Sequence, residues 1–238
     1  MTARSIANPQ ERRHAPRFDI DRDVTPSLWS SIPIKRYSPA FLISKRVFDL
    51  ALSLTALFLL TPLLAVVAIA IKITSKGPII FTQERLGLGG KTFKMYKFRT
   101  MNQNAELQKA SLAAMNEHSG PAFKMKKDPR ITKIGGFLRR FSIDELPQLL
   151  NIVLGDMTIV GPRPPLRSEV QQYENWQKMR LSVKPGLTCI WQVSGRSRID
   201  FATWVRMDLR YIEKASLVLD IIIIAKTFSA VIRADGAY

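Results

Sequence analysis

Between Leu50 and Ile71 the chain reads LALSLTALFLLTPLLAVVAIAI, twenty-two residues without one ionisable side chain. As a helix this run is about 33 Å long, enough for a bilayer core of roughly 30 Å, so the chain is a membrane protein. A cleaved signal peptide fits poorly, because some 45 polar residues rich in Pro and Arg precede it. Pro62 stands at its centre, where it removes a backbone hydrogen bond and clashes with the preceding turn. The Thr61 hydroxyl can satisfy a carbonyl so freed. Each half is then about 17 Å, too short to cross alone. Lys35, Arg36, Lys45 and Arg46 lie before the run, and Lys72, Lys76, Arg85 and Lys91 after it. Positive charge on both flanks favours a hairpin with both ends cytoplasmic, and a spanning helix with a proline kink is the alternative.

The charge is spread unevenly. The whole chain of 238 residues has 36 basic and 19 acidic side chains, or +17. Residues 1–46 carry nine bases against four acids, residues 72–140 fifteen against four, and residues 141–238 twelve against ten. Such a balance suits an anionic membrane or nucleic acid. The aromatics Phe93, Tyr96, Phe98 and Phe123 of the most basic segment form no base-stacking pattern, so no nucleic-acid partner is expected. One cysteine, Cys189, allows no internal disulfide, and two histidines, His14 and His118, exclude a His-rich zinc site.

Residues 1–44 mix Pro, Arg, Ser and Asp without periodicity and read as a mobile basic arm, with residues 45–74 as the membrane helix broken at Pro62. Asp49 reads as a helix-start acid paired with Lys45 and Arg46. Residues 75–238 make up the cytoplasmic domain. In it PIIFTQE and TFKMYKFRT are short strands joined by RLGLGGK, a turn lacking the spacing of a dinucleotide loop. Residues 103–118 look helical and solvent-facing, and KPGLTCIWQVSGR reads as a turn and a short strand. SIDELPQLLNIVLGD has helical periodicity, with Leu146, Leu149, Leu150, Val153 and Leu154 on one apolar face and Gly155 as its stop. LVLDIIIIAKTFSAVI is too short to span comfortably and reads as a helix at the membrane interface or on the core.

The adjacent acids Asp144 and Glu145 have two readings. Ser142 and Glu145 match a capping box, while Pro147 argues for a later helix start. Against a purely structural role, Arg85, Lys97, Arg99, Arg139, Arg140 and Arg163 are more cations than two carboxylates need. They suit a diphosphate whose charge must be neutralised before an anionic nucleophile approaches. Adjacent carboxylates suit one nucleophile and one ligand for a hard cation such as Mg²⁺.

KRVFDLALS, the apolar run, GPIIFTQERLGLGGKTFKMYKFRTM, SIDELPQLLNIVLGDMTIVGPRP and KPGLTCIWQVSGR, in that order, resemble the bacterial sugar transferase family. These are monotopic polyprenyl-phosphate phosphoglycosyl transferases, and the closest likeness is to those starting exopolysaccharide repeat units. The resemblance covers about residues 45–235. It implies an α+β, helix-dominated monotopic membrane protein with a re-entrant helix hairpin, interfacial amphipathic helices and a few short strands, at the cytoplasmic face of the bacterial inner membrane. The family breaks its helix at Ser-Pro, matched here by Thr61-Pro62. The implied reaction moves a phosphosugar from a UDP-sugar, with galactose or glucose expected, to undecaprenyl phosphate, and releases UMP. Asp144 is the implied nucleophile, Glu145 with Asp144 the Mg²⁺ ligands, and Arg85, Lys97, Arg99, Arg140 and Arg163 the phosphate-binding set. Cys189 departs from the small residue usual after KPGLT. Membrane lipids are expected partners, and homo-oligomerisation is left open. The rival reading, a non-catalytic membrane scaffold of a polysaccharide assembly complex, has no use for Asp144 and Glu145 beside Arg140.

Overall fold

A computed structural model describes residues 32–108, 111–112, 115–117, 120–121, 125, 127–195 and 199–233. Its first element is helix α1 (Pro39–Thr74), begun by Ser38, whose hydroxyl accepts the Phe41 N–H at 3.3 Å, with Pro39 as its first residue. Two expectations are corrected here. The helix starts at Pro39, within the stretch assigned to the arm, and the backbone stays helical through Pro62, since a proline that removes one hydrogen bond can bend a helix of 36 residues without ending it. The Thr61 hydroxyl donates to Leu57 O at 2.7 Å, one residue before the Phe58 carbonyl that Pro62 deprives of its donor. The arm also stops short of its assigned boundary. Ile32 is buried in the main core, the Lys35 N–H donates to Ser182 O, and the Tyr37 hydroxyl donates to Ile212 O. Residues 1–31 lie outside the described part.

One face of α1, through Asp49, Ser53, Val67 and Ile71, is turned to the rest of the chain. Leu54, Phe58, Leu59, Val66, Ile69 and Ile73 are exposed on the other side. Leu52, Ala56 and Leu57 pack on a core of Met95, Leu149, Ile152 and Ile212, while Leu64, Val67, Ala68 and Ile71 pack with Phe98 and Leu138. Both halves of the apolar helix therefore rest on the same body. Asp49 is buried, held chiefly by Thr158 (2.5 Å) and the Ile159 N–H (3.2 Å), with Lys45 at 3.9 Å.

Strands β1 (Ile80–Leu86) and β2 (Thr92–Phe98) form an antiparallel hairpin in which Ile80 faces Phe98 and Leu86 faces Thr92. Gly89 and Gly90, at φ 64° and 75°, give their link the left-handed backbone of a plain turn. Within 103–118 only α2 (Ala105–Gln108) is α-helical among the described residues, less than the sequence suggests. Helix α3 (Lys133–Arg140) is capped by the Thr132 hydroxyl.

Helix α4 (Gln148–Leu154) begins after Pro147, and Gly155 ends it at φ 93°. The capping box does not form: Ser142 has φ 55° and makes no side-chain cap, and Glu145 turns to a lysine instead. The expected apolar face is also rearranged. Leu150 and Leu154 are exposed, whereas Asn151 and Ile152 are fully buried, because α4 rests on β2 through Asn151.

Strands β3 (Thr158–Val160) and β4 (Gly186–Thr188) pair in parallel. A Cβ on Gly186 would overlap the Gly161 backbone, so this glycine lets the two loops touch. Helices α5 (Arg167–Val170) and α6 (Asn175–Lys178) follow β3; the short strand expected in KPGLTCIWQVSGR is β4, and α7 (Ile190–Ser194) comes after it. Helix α8 (Phe201–Lys214) stacks Trp204 on Trp191, with ring centroids 4.3 Å apart. Helix α9 (Leu217–Arg233) buries Asp220 and Ile223 against the core and leaves Val218, Ile221, Phe228 and Ile232 exposed. It is the amphipathic helix expected from the sequence.

Candidate active site

Asp144 and Glu145 sit on a single 3₁₀ turn, Ile143–Glu145, between α3 and α4. That turn is fixed from both ends. Ser142 before it takes the left-handed backbone unusual for a residue with a Cβ, and Pro147 after it starts α4. Asn151, one turn into α4, accepts the Tyr96 N–H at 3.0 Å and donates to Lys94 O at 2.7 Å. It thereby pins β2 to the helix and sets Lys97, the next basic residue on the strand, beside the acids. Lys97 Nζ lies 2.7 Å from Glu145 Oε1.

The two carboxylates differ in environment. Asp144 is only 8% exposed and, among the described residues, is in no ion pair. Its pKa is raised from 3.8 to about 6, chiefly by burial and in lesser part by Glu145, against the opposing pull of Lys97 and Arg139. Burial acts on Glu145 in the same direction, but the contact with Lys97, together with Arg163 and Arg139, outweighs it and holds Glu145 below the usual range. One turn thus carries a neutralised, salt-bridged acid beside an acid with spare charge.

The cations come from several elements. Arg85, on β1 and 6% exposed, has no carboxylate at bond distance among the described residues; it donates to Gln83 Oε1 (2.6 and 3.1 Å) and to Pro164 O (3.1 Å). Burial and then the neighbouring Arg163 push its pKa down to about 9. Arg163, in the GPRP loop after β3, lies 3.8 Å from Glu169 and over the Trp204 ring at 5.6 Å. Arg139, at the end of α3, acts on both acids.

Two expected members are elsewhere. Arg140 is exposed and lies over the Phe141 ring, so Arg139 takes the place foreseen for it. Arg99 turns to the end of α1, where it donates to Ser75 O and Oγ. Thr61 and Pro62 lie on the exposed part of α1. The sequence reading missed Asn151, Arg180 and Asp208. Arg180 is buried, bonded to Asp208 at 2.8 Å, to the Tyr173 hydroxyl and to Arg163 O, so it props the GPRP loop from below. The clue was available: Asp208 lies on the helical stripe of Trp204, Tyr211 and Ile212, an acid among core positions.

Among the described residues no three His, Cys, Asp or Glu side chains gather into a metal cage. The acid pair fits Mg²⁺ in the mode that ion prefers, one or two carboxylates completed by water and substrate phosphates. Asp144 has a charge to share, and Glu145 has an oxygen beyond the one Lys97 holds.

A carboxylate pair with Lys97, Arg139 and Arg163 about it, on a body that carries both halves of an apolar helix, is the candidate active site. The chain belongs to the bacterial sugar transferase family, whose model matches residues 40–234. It is similar to the exopolysaccharide production protein ExoY of Sinorhizobium fredii, 42% identical over 82% of this chain and 88% of that one. The undecaprenyl-phosphate galactose phosphotransferase of Salmonella typhimurium is 42% identical over 82% of this chain and 41% of its own length. The UDP-glucose:undecaprenyl-phosphate glucose-1-phosphate transferase of Escherichia coli is 39% identical over 77% of this chain and 39% of its own. The chain thus spans about two fifths of the latter two relatives.

Proposed function

We propose that this protein transfers a phosphosugar from a UDP-sugar to undecaprenyl phosphate, the first membrane step of exopolysaccharide assembly, through a covalent intermediate on Asp144. The observation that carries this reading is the asymmetry of the acid pair: Asp144 is buried and in no ion pair among the described residues, whereas Glu145 is held by Lys97. An Asp144 carboxylate oxygen attacks the β-phosphorus of the donor. The bond from that phosphorus to the bridging oxygen breaks, and UMP leaves with the electron pair. An oxygen of undecaprenyl phosphate then attacks the same phosphorus, and the acyl-phosphate bond breaks to restore Asp144. Both nucleophiles are anionic near neutral pH, so no general base is needed. Splitting the transfer lets two phosphate substrates use one pocket in turn. Arg85, Arg139 and Arg163 neutralise the charge gathering at phosphorus, and Lys97 keeps Glu145 oriented. Mg²⁺, when bound by Glu145 and Asp144, adds Lewis-acid neutralisation of the diphosphate. Galactose or glucose is the sugar in the names of relatives.

Placement at the membrane follows the same logic. A straight helix of 36 residues would be about 54 Å long, and one crossing the bilayer would carry one half away from the domain. Here both halves pack on it, with the exposed apolar surface of α1 left for lipid. This supports a re-entrant α1 with both ends on the cytoplasmic side of the inner membrane. Single cysteines at exposed Arg36 and Lys72 should both be labelled from the cytoplasm in sealed cells; labelling from opposite sides overturns re-entry. For the chemistry, radiolabelled UDP-sugar should leave label on the wild-type polypeptide and none on Asp144→Asn. Glycolipid formed by Asp144→Asn at the wild-type rate overturns the assignment.

A further inference from the structure

Gln148 opens α4 and is only 3% exposed, yet among the described residues its side-chain amide forms no hydrogen bond. An amide buried without a partner destabilises a fold, so an unmet one needs a reason. This one is not sealed in. Ser53 Oγ and Ser182 Oγ are polar atoms with neither a partner nor accessible surface; neither amide atom of Gln148 is of that kind, so the little surface the residue keeps lies at its amide.

Where that surface opens follows from the helix. The backbone is helical from Ile143 to Leu154, because Leu146 and Pro147 keep right-handed angles between the 3₁₀ turn and α4. Glu145 and Asp144 stand three and four residues before Gln148, so they are its neighbours one turn back; Asn151 and Ile152 are its neighbours one turn on. Asn151 and Ile152 are fully buried, and Asn151 is bonded to Lys94 and Tyr96 of β2, so that side is closed. Asp144 and Glu145 each keep some exposure, so the amide opens on the side of the acid pair. It is bonded to neither acid, and Glu145 Oε1 is taken by Lys97.

We infer that the Gln148 amide is a further contact for the transferred phosphate, its N–H donating to a non-bridging oxygen on the phosphorus that Asp144 attacks. A side chain one turn from the nucleophile reaches a group joined to that nucleophile. A neutral donor suits the place. Lysine or arginine at this position would pair with Asp144 and weaken its attack, whereas an amide donates two N–H groups and leaves the carboxylate charged. The bond strengthens as charge gathers on the phosphate oxygens and persists in the adduct. Gln148 gains and loses no proton, and the bonds made and broken are those of the proposed transfer. The inference rests on that chemistry at Asp144 and adds a contact to it.

The test compares full-length wild type with Gln148→Met, which keeps most of the volume without the amide, and Gln148→Glu, which keeps the shape but puts a carboxylate oxygen in place of the donor. Labelled adduct is followed by rapid quench with Mg²⁺ and saturating UDP-galactose or UDP-glucose. Both variants should form it roughly 100-fold more slowly than wild type. The factor should be the same for every donor that wild type accepts, because the phosphate is common to them. Gln148→Met should melt no lower than wild type, since it loses an amide without a partner, and should keep the Mg²⁺-induced rise in melting temperature. Adduct formed by Gln148→Met at the wild-type rate overturns the inference. So does a loss that depends on the sugar, which puts the amide on the sugar, or a lost Mg²⁺ shift, which puts it on the metal. A markedly lowered melting temperature in Gln148→Met overturns it in favour of packing. Glycolipid made by wild type without any adduct defeats the covalent step instead, and the variants' glycolipid rates then read the phosphate contact in the same way.

Discussion

Asp144→Asn should stabilise the protein while it removes the activity. The folded chain holds Asp144 at a pKa of about 6 against an ordinary value of 3.8, a difference of 6 − 3.8 = 2.2, with burial the main cause. At about 1.4 kcal/mol per unit, keeping this group ionised at pH 7.5 costs the native state about 3 kcal/mol. A carboxylate raised in this way contributes stability only when protonated. That contribution is complete below pH 3.8 and is lost as pH rises through 6. The net shift already contains the attraction of Lys97 and Arg139, so the neutral isostere removes a net penalty. Melting followed in detergent with EDTA present should show Asp144→Asn above wild type by several degrees at pH 7.5, on the order of 5–10 °C. The gap should shrink toward zero near pH 4, where wild type is itself protonated. An Asp144→Asn protein less stable than wild type at pH 7.5 would refute the reasoning, because it would mean that the buried charge is compensated by a partner.

Three further outcomes follow from the same geometry. Formation of the labelled adduct should fall about tenfold per unit below pH 6, as the nucleophile protonates, and Lys97→Met should move this limb to higher pH by removing the largest opposing charge; a profile flat to pH 5 would count against it. Mg²⁺ should raise the melting temperature of wild type and not of the double variant Asp144→Asn/Glu145→Gln, while EDTA should stop UMP release; equal metal-induced shifts in both proteins would place the ion elsewhere. Asp208→Ala strands the buried Arg180 and should cost about 3–5 kcal/mol, seen as a lowered melting temperature, with a wild-type melt as the refuting result.

What the sequence made legible were features with a period or a strong local grammar. The apolar run, the β1–β2 hairpin, the stop at Gly155 and the amphipathic α9 all stand where the residues announce them. The errors came where long-range contacts decide. The Leu150 and Leu154 pattern says which residues are apolar but not which side meets protein: the leucines face out, and Asn151 faces in because it is bonded to β2. Capping grammar failed at Ser142 because Lys97, distant in sequence, competes for Glu145. Arg140 and Arg139 are adjacent in a basic pair, and only the packing of α3 through Leu138 selects which of them turns to the acids.

Strand β2 ties these observations together. Met95 belongs to the core that receives the first half of α1, and Phe98 to the core that receives the second, with Lys97 between them. Three residues of strand span only about 10 Å, so the membrane helix is fastened to the active-site strand on both sides of the lysine that holds Glu145. Asn151 adds the lateral fastening to α4, through bonds to the residues on either side of Met95. In the proposed reaction the lipid phosphate approaches the acids only at the depth that α1 takes in the bilayer, and strand β2 links that depth to the acids. The proposed donor, a soluble nucleotide sugar, faces no such limit. On that reading the anchor is a positioning part of the active site as well as an attachment, and changes on its domain-facing side at Val67 or Ile71 should weaken use of the lipid acceptor more than formation of the donor adduct.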